Sequence, residues 1–94
     1  MIKSFESKET EQIFARHRSR KLPQDIQQIA YRKLRMLNNA VSLKDLRVPP
    51  ANRLEKLKGD RAGQYSIRIN DQWRVVFRWE GRDAHEVRIA DYHA

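Results

Sequence analysis

The chain has 94 residues, no cysteine, and 20 Lys and Arg against 12 Asp and Glu, for a formal net charge of +8. Those totals exclude disulfides, thiolate chemistry and cysteine-based zinc or iron–sulfur sites. They leave room for a single domain over residues 1–94, with one sheet and one or two helices. The charge favours a polyanionic partner, such as nucleic acid, an acidic protein or a membrane surface. At 39% hydrophobic residues the composition suits a thin globular core. No apolar run approaches the ~20 residues of a membrane span, and the N-terminus lacks the apolar region of a signal peptide. A soluble, cytoplasmic protein is expected.

Residues 2–5 alternate apolar and polar side chains and predict a short strand. Ser7 is placed to cap a helix whose first turn carries Glu9 and Glu11. Ile13 and Phe14 form its apolar face, and it should stop in the basic cluster Arg16-His17-Arg18-Ser19-Arg20-Lys21. Pro23 then reads as the first residue of a second helix, with Asp25 behind it. Its apolar stripe is Ile26, Ile29, Ala30, Leu34, Leu37 and Val41. The two helices should form a hairpin on one face of a sheet.

Residues 43–53 read as irregular, because Pro49-Pro50 excludes regular helix and central strand. Residues 54–58 suggest a short strand, and residues 59–63 a turn. The clearest pattern follows. Tyr65, Ile67 and Ile69 share one face of a strand, and Trp73, Val75, Phe77 and Trp79 share one face of the next. Parity sets the register. A two-residue turn would oppose Ile67 and Arg74, whereas the loop Asn70-Asp71-Gln72 pairs Ile69 with Trp73, Ile67 with Val75 and Tyr65 with Phe77. The same register sets Arg68 opposite Arg74 on the other face, where like charges repel unless solvent screens them or an anion lies between. A last strand over residues 84–92 completes an α+β fold: an N-terminal strand, a helical hairpin, and a mostly antiparallel sheet whose free face carries Arg68, Arg74, Arg78 and Arg88.

His17, His85 and His93 have no metal-ligand spacing, and no phosphate-binding glycine loop or GxSxG elbow is present. The terminal Asp91-Tyr92-His93 stands apart. Histidine exchanges protons near neutrality, tyrosine donates hydrogen bonds or stacks on bases, and aspartate can orient an imidazole. Beside a face of arginines these residue types suit metal-free RNA cleavage, in which the 2′-hydroxyl attacks phosphorus while cations stabilise the phosphorane. Strict alternation through Val87 and Ile89, however, sends Asp91 and His93 to the core side and only Tyr92 to the arginine side.

The stretches "MIKSF", "NRLEKLKGDRAGQYSIRINDQWRVVFRW" at 52–79 and "DYH" at 91–93 resemble the HigB toxins of the RelE-like superfamily. The resemblance covers essentially the whole chain. It implies a microbial-RNase-like fold, ribosome-dependent cleavage of mRNA without a cofactor, and arrest of translation. It also implies a HigA-type helix-turn-helix antitoxin whose complex with the toxin binds operator DNA. Matched by motif, the site residues are Lys58, Arg74, Asp91, Tyr92 and His93. Arg68, Arg61 and Arg78 are the expected RNA contacts. Glu55 stands in a segment where some HigB toxins carry a histidine, so either Glu55 replaces it as base or the chemistry rests on His93 and the arginines. The competing readings are a non-catalytic nucleic-acid-binding module and a domain that only holds an acidic partner.

Overall fold

The computed structural model describes residues 1–61 and 63–92. Helix α1 spans Lys8–Phe14, α2 Gln24–Asn39 and α3 Leu43–Arg47; the strands are β1 Glu55–Lys56, β2 Gln64–Arg68, β3 Trp73–Glu80 and β4 Asp83–Asp91. The sheet is antiparallel throughout, in the order β1-β2-β3-β4. Helices α1 and α2 pack on each other and against β4, and α2 also reaches β3.

The core lies between this hairpin and the sheet. Ile13, Ile26, Ala30, Leu34 and Leu37 from the helices meet Ile67, Ile69, Val75, Phe77, Ala84 and Val87 from the sheet. Burying each large side chain of this kind contributes about 1.5–3 kcal/mol. Helix α1 begins as expected, the Ser7 Oγ accepting the Thr10 N–H at 3.2 Å. It ends at Phe14, ahead of the basic cluster, where Arg16 turns the chain with φ 64°. Pro23 is the residue before α2 rather than its first. Ile29 and Val41 leave the stripe and are exposed, Ile29 because it sits about a quarter turn from the stripe's centre and Val41 because the helix ends at Asn39.

Residues 43–53 are less irregular than expected. The Asp45 carboxylate accepts the N–H groups of Val41 and Ser42 at 2.9 and 3.3 Å, which caps the start of α3 before the prolines. A single 3₁₀ turn, Pro50–Asn52, follows. The strand expected over 54–58 shrinks to the two residues of β1.

The hairpin register agrees with parity: Ile67 opposes Val75, Tyr65 opposes Phe77, and Arg68 opposes Arg74. The Ile69 N–H closes the ladder on the Trp73 carbonyl at 2.9 Å. In β4 the register shifts, because Val76 opposes Arg88 while Arg78 opposes His85. The extra residue forms a β-bulge at Glu86, with φ 54°, and lets Ala84 and Val87, three apart, both face the core. The N-terminus follows that break. In place of a continuous strand, Ile2 and Phe5 make two isolated parallel bridges to Ala84 and Val87. The outer edge of β4 is thereby occupied: Ala84, Glu86, Val87 and Ile89 donate their N–H groups to the Met1 carbonyl, Ser4 Oγ, the Ser4 carbonyl and Thr10 Oγ1.

The second sheet face is not the open arginine face that alternation suggested. Val76 and Ser66 are fully buried, and Arg74 is only 8% exposed. Residues 50–57 fold back beside it: β1 pairs with β2, the Arg53 carbonyl reaches Arg74, and Leu57 is buried.

Candidate active site

Arg74 is the centre of a cleft of about 220 Å³ lined by Arg53, Glu55, Arg68, Asn70, Asp71, Arg74 and Tyr92. Strand β3 delivers it from the middle of the sheet, where its guanidinium has little access to water. Its donors are assigned one by one. Nε donates to Ser66 Oγ at 2.7 Å, and Nη2 donates to the Arg53 carbonyl at 2.5 Å and to the Ser66 carbonyl at 3.3 Å. Nη1 is left for the cleft, where Glu55 Oε1 lies 3.9 Å away. A guanidinium is a rigid planar fork, so fixing two nitrogens fixes the direction of the third.

Burial pushes the Arg74 pKa down from the ordinary arginine value. Glu55 and Tyr92 oppose that shift, while Arg68 and Arg53 reinforce it. The side chain stays cationic at any physiological pH, because arginine starts so far above neutrality. It is a preorganised positive charge in a partly dry site, the setting in which such a charge acts most strongly on an anion.

Arg68 leaves its paired position toward the hairpin tip, where Nη2 contacts Asp71 Oδ1 at 2.5 Å. That contact holds the Asp71 carboxyl below the usual aspartate range. Asn70 Oδ1 accepts the N–H groups of Gln72 and Trp73 at 2.9 and 2.7 Å and so shapes the loop that carries Asp71.

Strand β4 brings the terminal segment to the same place. Asp91 pairs with Trp73 at the end of the ladder and is exposed; the Gln72 side-chain amide donates to its Oδ2 at 3.0 Å. The Tyr92 N–H donates to the Gln72 carbonyl, which turns Tyr92 over Arg74. The Arg74 Cζ lies 5.9 Å from the Tyr92 ring centre, within cation–π range. Arg61 Nη1 donates to the Tyr92 hydroxyl at 3.3 Å. His93 lies outside the described residues.

Of the residues singled out by sequence, Glu55, Arg68, Arg74 and Tyr92 therefore meet in the cleft, with Arg61 at its edge. Lys58 is exposed and not among the lining residues. Arg78 shares the face but is engaged by Glu80 and Glu86 at 2.5 and 3.6 Å. Arg53, Asn70 and Asp71, which line the cleft, and Ser66, which holds Arg74, are not among the residues that the sequence singles out. Arg53 could have been suspected as the basic residue two before Glu55; Ser66 and Asn70 carried no distinguishing signal.

The same fold recurs in solved structures. The crystal structure of a mutant of E. coli YafQ superposes with a TM-score of 0.64, covering 97% of this chain and 91% of that chain at 11% identity. The YoeB–YefM complex from Staphylococcus aureus gives 0.57 over 100% and 99% of the two matched chains at 17% identity. Residues 3–93 match the family described as the RelE-like toxin of the type II toxin–antitoxin system HigB, and the chain belongs to that HigB-like toxin family. Toxin HigB-1 of Vibrio cholerae serotype O1 is 41% identical over 80 residues, 84% of each chain. Endoribonuclease HigB of Proteus vulgaris is 34% identical over 94 residues, covering 99% of this chain and all of the relative. Membership in a type II system implies a cognate antitoxin as partner.

Proposed function

We propose that the chain is an mRNA endonuclease toxin that cuts message on the ribosome and so stops translation. The observation that carries this reading is the directed Nη1 of Arg74, a buried cation facing a cleft that also holds Glu55, Arg68 and Tyr92. Cleavage by a RelE-like toxin agrees with the name endoribonuclease borne by the Proteus vulgaris relative.

In this mechanism Arg74 and Arg68 bind the non-bridging oxygens of the scissile phosphate, with Arg61, Arg53 and Arg78 holding the flanking backbone. Tyr92 stacks on a neighbouring base. Glu55, on the exposed rim beside Arg74, takes the proton of the 2′-hydroxyl as its oxygen attacks phosphorus. The bond to the 5′-oxygen breaks, and that oxygen receives a proton from His93, with Asp91 as its orienter. The products carry a 2′,3′-cyclic phosphate and a 5′-hydroxyl. Arg74 offsets the extra negative charge of the phosphorane. Lys58 contributes long-range positive charge from outside the cleft. The ribosome supplies the orientation of the message, a contribution that can replace strong acid–base groups. The reaction draws on no cofactor.

The toxin acts in the cytoplasm. Its antitoxin is of the HigA helix-turn-helix type, and the complex binds its own operator DNA. Mapping mRNA 5′ ends in cells induced for the toxin tests the reading. New ends within translated codons, absent with Arg74→Ala, are expected; growth arrest without such ends would point to a binding module instead.

A further inference from the structure

Arg53 holds an unusual backbone conformation for a residue with a side chain, φ 44° and ψ 57°. Such left-handed positions are uncommon outside glycine and persist only where the surroundings enforce them. The Arg53 carbonyl is the nearer of the two carbonyls, with that of Ser66, that hold Arg74 Nη2. The residue before it, Asn52, is anchored on several sides.

Asn52 is fully buried, and its side-chain amide is used on both ends. Oδ1 accepts from Lys33 Nζ at 2.6 Å, while Nδ2 donates to the Leu46 carbonyl and to Met36 Sδ, each at 3.0 Å. The Asn52 and Arg53 N–H groups return to the carbonyls of Pro49 and Pro50 at 2.9 and 3.1 Å. One amide thus joins α2, α3 and the turn between α3 and β1. It does not line the cleft, and none of its hydrogen bonds goes to Arg74. An apolar side chain of equal size could fill the same space. It could not set the rotation of the turn, because that is determined by where the donors and acceptor of the amide must point.

We propose that Asn52 is a positioning residue: it locks the 50–53 turn so that the Arg53 carbonyl meets Arg74 Nη2 and leaves Nη1 directed into the cleft. Lys33 is the outer member of the same device. It reaches Asn52 from α2, and its pKa is pushed down by burial and by the nearby Arg68. The inference rests on the reading of Arg74 as the phosphate-binding cation.

The test uses the full-length toxin with Asn52→Leu, and with Lys33→Met in case the first substitution prevents folding. The Arg74 Nε–H resonance and its exchange rate are recorded without RNA. Single-turnover cleavage on programmed ribosomes is measured in the wild-type and Arg74→Lys backgrounds. In both variants the Arg74 resonance should shift and its exchange quicken. Asn52→Leu should slow cleavage roughly tenfold to a hundredfold with ribosome affinity unchanged, and add less than about twofold in the Arg74→Lys background. An unmoved Arg74 resonance in both variants, or a full additive loss in the Arg74→Lys background, would overturn the proposal. A shifted resonance in a chain that cuts no RNA would instead uphold the positioning and sink the nuclease reading.

Discussion

Arg68 and Arg74 are direct partners across β2 and β3, yet their guanidinium groups leave the sheet in different directions. Arg68 goes to Asp71 at the hairpin tip, and Arg74 goes down to Ser66 and the Arg53 carbonyl. Like charges directly opposed destabilise a sheet. Here each cation has its own acceptor, and both side chains line the cleft. The register that creates the repulsion also creates the site.

Ser66 is expected to matter beyond its size. Its hydroxyl is buried and accepts the Nε–H of Arg74 at 2.7 Å. Hydrogen bonds to charged groups are worth about 1.5–3 kcal/mol, so Ser66→Ala should lower unfolding free energy by about that amount in a denaturant titration. It should also slow RNA cleavage, since Nη1 loses part of its direction. A variant with unchanged midpoint and slope would show that Arg74 is held by other groups.

The hairpin tip should respond to acid. Asp71 is exposed, and its pKa lies below the ordinary value chiefly because of the hydrogen bond from Arg68. The folded state therefore binds this proton less readily than the unfolded state. The ion pair's contribution is complete above the ordinary aspartate pKa and is lost as the pH falls through the lower folded value. An NMR titration of the Asp71 carboxyl should give a midpoint below that of a free aspartate, and Arg68→Ala should raise it. Equal midpoints in the two proteins would remove Arg68 as the cause.

The helical stripe divides into positions that carry stability and positions that do not. Leu34→Ala, at a fully buried site, should cost about 2–5 kcal/mol. Ile29, at 38% exposure, lies off the stripe's centre, and Ile29→Ala should stay within about 0.5 kcal/mol. Similar losses at the two sites, measured by chemical denaturation, would mean that Ile29 is covered in solution.

Pattern was enough where strict alternation governed, in β2 and β3. The alternation of Tyr65, Ile67, Val75 and Phe77 determined a register, and Arg68 fell opposite Arg74 as a consequence. The same parity sent Tyr92 to the side of Arg74, although Asp91 turned out exposed at the sheet's end. Pattern failed where distant segments decide. The burial of Arg74 goes with residues 50–57 lying beside it, and the left-handed Arg53 in that segment has no signature in alternation. The bulge at Glu86, which breaks the N-terminal strand into two bridges, is likewise invisible until β3 and β4 are paired.

The covered edge of β4 gives a fourth test. Thr10 is fully buried, and its hydroxyl accepts the Ile89 N–H at 2.9 Å. Thr10→Val keeps the shape and removes the acceptor, which leaves a half-buried donor unpaired at a cost of about 1 kcal/mol. Hydrogen exchange at Ile89 should quicken by a matching factor. Unchanged exchange would mean that another group satisfies this amide.

On the proposed mechanism Arg74, held so that Nη1 faces the cleft, stabilises the phosphorane formed during mRNA cleavage on the ribosome. The most direct measurement is single-turnover cleavage of a defined message on programmed ribosomes by the wild type and by Arg74→Lys, with the ends of the fragments analysed. Lysine keeps the charge but lacks the fork that directs it. The wild type should leave a 2′,3′-cyclic phosphate and a 5′-hydroxyl, and Arg74→Lys should be slower by about a hundredfold or more while binding the ribosome equally well. Cleavage by Arg74→Lys at the wild-type rate would mean that the directed guanidinium does not stabilise the transition state.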